Sequence, residues 1–309
     1  MPSKQSEAVK NLYRSWTEAR ITDPDRSLEE QRDDLERWGD LTAEPGGVDY
    51  IETDAGEVPA MWAVPKGCVE DRVILCLHGG GFVGGSMYTH RKLFGHLAKT
   101  IGARALIPNY RRTPEHPHPA PVDDATAAYR WLLEQGVSAN HIALTGDSSG
   151  GGLAITAMLH ARVLGLPTAA AFMLISPWVD MELTGNSYES NREKDAFFYK
   201  EVVQGLVDMF LGERGNGKDP LANPLYADLT GLPPIHIQVG GDETLLDDSR
   251  RLAEHARGAG VDVRVEIFPD QQHTFHMAAG RAPEADEAIG ALARWVRPKL
   301  GLADAARAA

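Results

Sequence analysis

The chain has 309 residues, of which 43% are apolar and 24% charged, with a formal net charge of −13. That composition is the one expected of a water-soluble globular protein, and the length suits one α/β domain with a modest cap. So acidic a surface disfavours nucleic acid, anionic membranes and strongly anionic substrates as partners. Cys68 and Cys76 are too few for a disulfide framework or a zinc site, and no stretch reaches the roughly 20 apolar residues of a membrane span. The polar opening MPSKQSEAVK lacks an apolar signal core, so a cytoplasmic location is expected.

Along the chain, Val9, Leu12, Tyr13 and Trp16 recur at helical period, and Leu28, Leu35 and Trp38 do so again after a break at Asp23-Pro24. These two apolar stripes need cover, from the main body or from a partner helix in a cap. Glu44-Pro45-Gly46-Gly47 signals a turn, after which Val48–Ile51 and Pro59–Val64 read as paired strands. Arg72–Leu77, Ala103–Pro108, His141–Thr145, Ala171–Ser176, Ile235–Val239 and Val261–Ile267 are further strand candidates, separated by helical segments. Runs apolar on both faces suit a sheet covered by helices on both sides, so a mostly parallel α/β sheet is expected. Residues from Trp178 to about Pro224 break the alternation with polar turns around Phe197, Phe198 and Tyr199, and read as an inserted cap.

Gly146-Asp147-Ser148-Ser149-Gly150 matches the Gly-x-Ser-x-Gly elbow, between a strand-like run and a helical pattern through Leu153, Ile155, Met158, Leu159 and Val163. A serine on so sharp a turn needs glycine neighbours. The turn lifts its hydroxyl above the sheet edge beside the following backbone N–H and the helix N-terminus. Ser148 is thus the expected nucleophile; the rival Ser149 sits in a frame that lacks the first glycine. His78-Gly79-Gly80-Gly81 follows directly on RVILCL. A tetrahedral acyl intermediate needs backbone N–H groups aimed at its oxygen, and consecutive glycines let the backbone come that close. No Gly-Lys-Ser/Thr follows, which excludes a phosphate-binding P-loop. A dinucleotide pattern drawn through Gly79, Gly81 and Gly84 lacks the acidic residue at its expected distance.

Serine does not attack unaided and needs an imidazole base. Of the 11 histidines, His273 follows the last strand candidate, where a loop carries a side chain over the serine. His276 is its rival, while His160, His236 and His255 fall in the elbow helix, an apolar run and a polar helix. The orienting acid is expected after Ile235–Val239, in Gly240-Gly241-Asp242-Glu243. Asp242 comes first and is the expected acid, with Glu243 and Asp247 as alternatives.

HGGGF at His78–Phe82, GDSSGG at Gly146–Gly151, YRRTPEHPHPA at Tyr110–Ala120 and the acid and histidine loops together resemble the hormone-sensitive-lipase-like (family IV) bacterial esterases. The likeness runs from about Val73 to Trp295 and, within that family, is similar to short-chain esterases and monoterpene ε-lactone hydrolases. It implies the α/β-hydrolase fold, a mostly parallel central sheet with helices on both faces and a helical cap. It implies a serine carboxylesterase that hydrolyses short to medium acyl esters through a Ser148-Asp242-His273 triad and an acyl-enzyme, with no metal or organic cofactor. Gly80, Gly81 and Ser149 would donate to the oxyanion, Tyr110 and Glu115 would support the floor of the site, and His78, Gly79 and Asp147 would support the loops. The partner is a small-molecule ester or lactone, and if the chain pairs, a homodimer through the last strand and helix is implied. Lactone hydrolysis and amidase or formamidase chemistry use the same triad, and a non-catalytic ligand-binding protein is the remaining alternative.

The implied division is a helical cap segment at 1–45, core at 46–179, a cap insertion at 180–222, core at 223–300 and a frayed tail at 301–309. Trp16, Trp38, Phe197, Phe198 and Tyr199 hint at an apolar pocket under the cap. This sequence departs from the family pattern in three places. The acid loop lacks the usual proline, Thr274 stands where Gly usually follows the histidine, and Arg112-Thr113 replaces Leu-Ala.

Overall fold

The computed structural model describes residues 2–303, so the tail expected to fray lies, from residue 304 onward, outside the described residues. Helices α1 (Ser6–Thr22), α2 (Leu28–Glu36) and α3 (Trp38–Leu41) open the chain. The hairpin β1 (Val48–Ala55) and β2 (Val58–Pro65) follows. Then β3 (Val69–Leu77), α4 (Met87–Ile101), β4 (Ala103–Pro108), α5 (Ala120–Glu134), β5 (Ile142–Asp147), α6 (Ser149–Val163) and β6 (Ala171–Ile175) alternate. After α7 (Ser187–Ser190) and α8 (Lys200–Leu211) come β7 (Ile235–Gly240), α9 (Leu246–Gly258), β8 (Val263–Phe268) and α10 (Pro283–Val296).

The strands form one 8-stranded sheet in the order β1-β2-β4-β3-β5-β6-β7-β8. β1 and β2, and β2 and β4, run antiparallel, and the other neighbours are parallel. This is the mostly parallel α/β sheet expected from the apolar runs, and it agrees with the α/β-hydrolase fold that the resemblance implies. The central strands carry those runs because both faces are covered: β5, β6 and β7 are buried at every residue. β8 lies at the sheet edge, and its residues are half-buried or exposed.

Parallel register fixes where the loops emerge. Leu77 of β3 lies opposite Gly146 of β5, Asp147 opposite Ile175 of β6, and Gly240 of β7 opposite Phe268 of β8. The carboxyl ends of β3, β5, β6, β7 and β8 therefore share one edge of the sheet, the side on which open α/β sheets gather their ligands.

Over this edge lies a cover made of two separate stretches of chain. The stripe read in α1 is buried, with Val9, Tyr13 and Trp16 turned inward. Tyr13 stacks on Phe197 with ring centroids 4.6 Å apart, and Trp38 meets Trp16 edge-on at 5.5 Å. Helix α8 turns Val203, Val207 and Phe210 inward, and Phe210 stacks on Phe82 of the glycine loop at 3.9 Å. Helix α2 buries no residue fully. A capping box between Ser27 and Glu30 starts it, and Arg32 anchors it through donation to the carbonyls of Val83 and Thr113 and to both oxygens of Glu115. Among the described residues no helix is long and apolar enough to cross a membrane.

Candidate active site

Ser148 caps α6 at the tip of the turn leaving β5, with φ 53° and ψ −125°. A non-glycine residue rarely adopts such a backbone, and it persists only where its surroundings over-determine it. Here the amide of Ser148 donates to the Ile175 carbonyl at 2.9 Å, and its own carbonyl accepts from Gly151 and Trp178. Helix α6 then starts hard against β3, and a Cβ on Gly150 would sit 2.0 Å from the Leu77 carbonyl oxygen. Glycine is thus required by the close approach that brings elbow and glycine loop together.

The glycine loop is folded back on itself. Gly80 has φ +124°, and a Cβ there would lie 2.2 Å from the Gly84 carbonyl oxygen. The N–H groups of Gly80, Gly81 and Ser149 meet no acceptor among the described residues. Supporting side chains hold the loop from behind. Asp147 accepts the Gly79 N–H at 3.0 Å and the Nε2–H of His90 at 3.3 Å. Burial alone would raise the Asp147 pKa, but His90 and the Gly79 amide outweigh it and hold the carboxyl below its ordinary value. Tyr110 stacks on His78 at 4.2 Å and donates to its carbonyl at 2.7 Å, while burial drives the His78 imidazole down to about 3. Arg112, one of the departures from the family pattern, donates to the Gly85 carbonyl at 3.2 Å and so braces the same loop. The rival Ser149 has its oxygen engaged, accepting the Phe82 N–H at 3.3 Å.

At the other end of the edge, His273 is fully buried, and its Nδ1 lies 2.7 Å from Oε2 of Glu243. Burial would lower this imidazole. The charge and hydrogen bond of Glu243, with Asp195 and Asp147 farther off, overcome that and raise it above the ordinary value. Its Nε2 is buried and has no partner among the described residues. The alternative base, His276, is turned into the core, where it meets Gln238 at 2.9 Å, and burial pushes it down to about 3.

The expected acid, Asp242, is not the residue that meets the imidazole. Its carboxylate faces Gln272 Nε2 at 3.5 Å and Lys10 Nζ at 3.9 Å. The reason lies in where the chain turns. Gly241 and Asp242 still donate to the carbonyls of Phe268 and Gln271, prolonging the pairing along the end of β8 and the loop that follows it. The turn comes one residue later, and the longer Glu243 side chain reaches back, accepting from the Gly240 amide at 2.5 Å and the Ser176 hydroxyl at 2.6 Å. The third acid, Asp247, accepts the Ser187 amide at 3.0 Å. Glu115 is also displaced from its expected place. It is half exposed and paired with Arg32 at the outer surface, 2.7 Å away, rather than lying in a site floor.

Several residues that the sequence did not single out hold this half together. Ser176 (φ +45°) both donates to Glu243 and accepts the Thr274 N–H at 3.3 Å. The half-buried Asp195 accepts from the amides of Phe197 and Phe198 on the cover and from the amide and hydroxyl of Thr244 in the acid loop. The side-chain oxygen of Gln272 accepts the Ala196 amide at 2.8 Å, and Phe198 meets the His273 ring edge-on at 5.0 Å. Of these, Thr274 left a signal in the sequence as a departure from a glycine position, and Phe197 and Phe198 as cap aromatics.

A cavity of about 260 Å³ opens over Gly80 and Gly81, roofed by Trp16, Trp38, Phe197, Phe198 and Leu206. Tyr199 lies outside its lining. Arg20 forms part of the wall, donating to the Phe197 carbonyl, and burial lowers its pKa. Among the described residues no cluster of three or more His, Cys, Asp or Glu is spaced to hold a metal ion.

Residues 74–277 match the family model described as the alpha/beta hydrolase fold. A crystal structure of an esterase from the bacterial hormone-sensitive lipase family superimposes with a TM-score of 0.92 at 41% identity, over 97% of this chain and 100% of that one. The chain belongs to that family, and it is a carboxylic ester hydrolase. Among other relatives, an acetyl-hydrolase of Streptomyces hygroscopicus is 38% identical over 266 residues, 86% of this chain and 87% of that protein. The structure of EstE5 soaked with p-nitrophenyl butyrate has a TM-score of 0.89 at 35% identity, covering 97% of this chain and 99% of EstE5. The hormone-sensitive-lipase family thus accounts for the elbow, the glycine loop and the sheet between them.

Proposed function

We propose that this family member is a serine carboxylesterase for short to medium acyl esters, with Ser148 as nucleophile, His273 as general base and Glu243 as the orienting acid. The observation that carries this reading is the buried His273–Glu243 contact of 2.7 Å, which leaves the other ring nitrogen, Nε2, without a partner. A base must be fixed in one tautomer with its working nitrogen free, and a carboxylate on Nδ1–H does that. The unengaged amides of Gly80, Gly81 and Ser149 supply the donors that an oxyanion needs.

In the proposed reaction His273 Nε2 takes the proton of Ser148 as its Oγ attacks the ester carbonyl. Charge builds on the carbonyl oxygen beside the three amides and is carried on the imidazolium by Glu243. Collapse breaks the C–O bond, and His273 returns the proton to the leaving alcohol. Water then attacks the acyl-enzyme by the same route, releasing the carboxylic acid and restoring the serine. The cavity of about 260 Å³ lies at the small end for ligand sites and has an apolar aromatic roof, which suits a short acyl group. The acetyl-hydrolase relative and the p-nitrophenyl butyrate soaked into EstE5 point to the same substrate class.

The test is a p-nitrophenyl ester series from acetate to decanoate, with a lactone and an anilide alongside, together with a fluorophosphonate probe. Turnover should peak at short chains. The probe should label Ser148, and Ser148→Ala should lower kcat by roughly 10⁴-fold or more. Labelling elsewhere, or near-normal turnover by Ser148→Ala, overturns the assignment.

A further inference from the structure

The residue after His273 is held in a conformation it does not favour. Thr274 sits at φ 48° and ψ 39°, in the left-handed region that suits glycine. For a β-branched side chain this conformation is a genuine outlier, and it persists only under restraint from its surroundings. Two restraints are visible. The Thr274 amide donates to Ser176 Oγ, which also binds Glu243. The Thr274 hydroxyl lies 2.8 Å from the hydroxyl of Tyr13, in a fully buried contact between residues 261 positions apart in sequence. The Tyr13 oxygen also accepts the indole N–H of Trp38 at 3.1 Å, so its own proton is free for Thr274.

Tyr13 belongs to α1, the helix whose Trp16 and Arg20 line the cavity. A second tie joins the same helix to the same loop, between Ser6 Oγ and the Gln271 side chain. The N-terminal helix therefore touches the histidine loop on both sides of His273 through hydrogen bonds, while its next turns wall the cavity over the glycine loop.

We infer that Tyr13 is a positioning residue: its hydroxyl fixes Thr274 in the left-handed conformation that aims His273, so that the N-terminal helix governs the orientation of the base. This rests on the proposed role of His273. A glycine at 274 adopts the same backbone without help, so the tether matters only because this chain carries threonine there.

The experiment is a double-mutant cycle at positions 13 and 274, read as kcat, KM and pH profile on p-nitrophenyl butyrate, with His273→Ala as the control for the underlying reading. Thr274→Val keeps the shape and the strain but removes the hydroxyl, and should lower kcat by roughly tenfold with KM within about twofold. Tyr13→Phe should do the same. In both, the acidic limb of kcat/KM should move to lower pH, since a loosened His273–Glu243 contact raises the imidazole less. Thr274→Gly should keep near wild-type kcat, and Tyr13→Phe added to it should cause no further loss. If Tyr13→Phe lowers kcat equally in both backgrounds, or if Thr274→Val leaves kcat and the pH limb unchanged, the inference fails. Thr274→Val leaves the aromatic cluster intact, so it decides the matter even if Tyr13→Phe folds poorly. Full activity in His273→Ala would instead overturn the assignment of the base.

Discussion

The two halves of the site are built from different materials. The half around Ser148, the proposed nucleophile, lies at the ends of β3 and β5 and is made chiefly of backbone: a serine at positive φ, glycines whose missing side chains let two loops touch, and unengaged amides. The half around His273, the proposed base, lies at the ends of β7 and β8 and is made of side-chain ties to distant segments, from Ser176, Asp195, Gln272 and Tyr13. Backbone geometry is encoded locally and written as a motif. Side-chain ties depend on the finished fold and leave only scattered polar residues in the sequence. The first half is therefore rigid by construction, whereas the second is as ordered as the cover that grips it.

The sharpest test of the second half separates the two adjacent acids. Glu243→Gln leaves the shape but removes the charge and the fixed tautomer, and kcat should fall by roughly 10³–10⁴-fold. Asp242→Asn, facing Lys10 and Gln272, should stay within about threefold. Steady-state kinetics on one ester decides between them. The pH profile adds a sign. On the proposed assignment the neutral imidazole is the base, so kcat/KM should fall as pH drops through the His273 pKa, which lies above the ordinary 6.5. Glu243 is the largest of the influences that raise it, so in Glu243→Gln the limb of the residual activity should shift to lower pH.

The backbone half has its own breaking point. A Cβ at Gly80 would stand 2.2 Å from the Gly84 carbonyl oxygen, so Gly80→Ala must re-route the glycine loop. Losing one oxyanion donor costs about 3 kcal/mol of barrier, and kcat should fall by roughly 10²–10³-fold. KM should change far less, because the cavity roof comes from the cover. A rise in KM with kcat intact would mean that the loop serves binding alone.

Ser176→Ala probes the hub between acid and base. Glu243 would keep the Gly240 amide but lose the hydroxyl at 2.6 Å, and Thr274 would lose the acceptor of its N–H. A hydrogen bond to a charged group contributes about 1.5–3 kcal/mol, so a loss of roughly tenfold or somewhat more in kcat is expected. An unchanged rate would show that the Gly240 amide alone fixes the carboxylate.

What could be read from the chain follows the same division. The central strands are legible because they carry continuous apolar runs, the β1–β2 hairpin because a turn signal precedes it, and Ser148 and the glycine loop because their turns demand glycine at fixed spacing. His273 was legible as a position, the first histidine past the last strand. Order along the chain favours Asp242 over Glu243 because it does not reveal where a turn begins: the added pairing of Gly241 and Asp242 with the end of β8 and the loop after it shifts the turn by one residue. Ser176 and Asp195 carried no signal, since a lone serine after a strand and an acid inside a polar insertion look like ordinary surface. Glu115 lies in a motif that the resemblance ties to the site, whereas its carboxylate pairs with Arg32 at the outer surface.

That pairing gives the smallest expected effect and the clearest check on the outer edge of the cover. Glu115 is half exposed and held down to about 2, chiefly by its hydrogen bonds from Arg32, but a surface ion pair of this kind contributes only about 0–1 kcal/mol. Glu115→Gln should leave kcat and KM within about twofold and lower Tm by no more than a few degrees. Arg32→Ala removes more, because the same guanidinium donates to the Val83 and Thr113 carbonyls and lines the cavity. It should raise KM for the longer esters while kcat for acetate holds. If Glu115→Gln costs as much activity as Glu243→Gln, the carboxylate at 115 acts in the reaction after all, and the division between a catalytic edge and a structural rim is wrong.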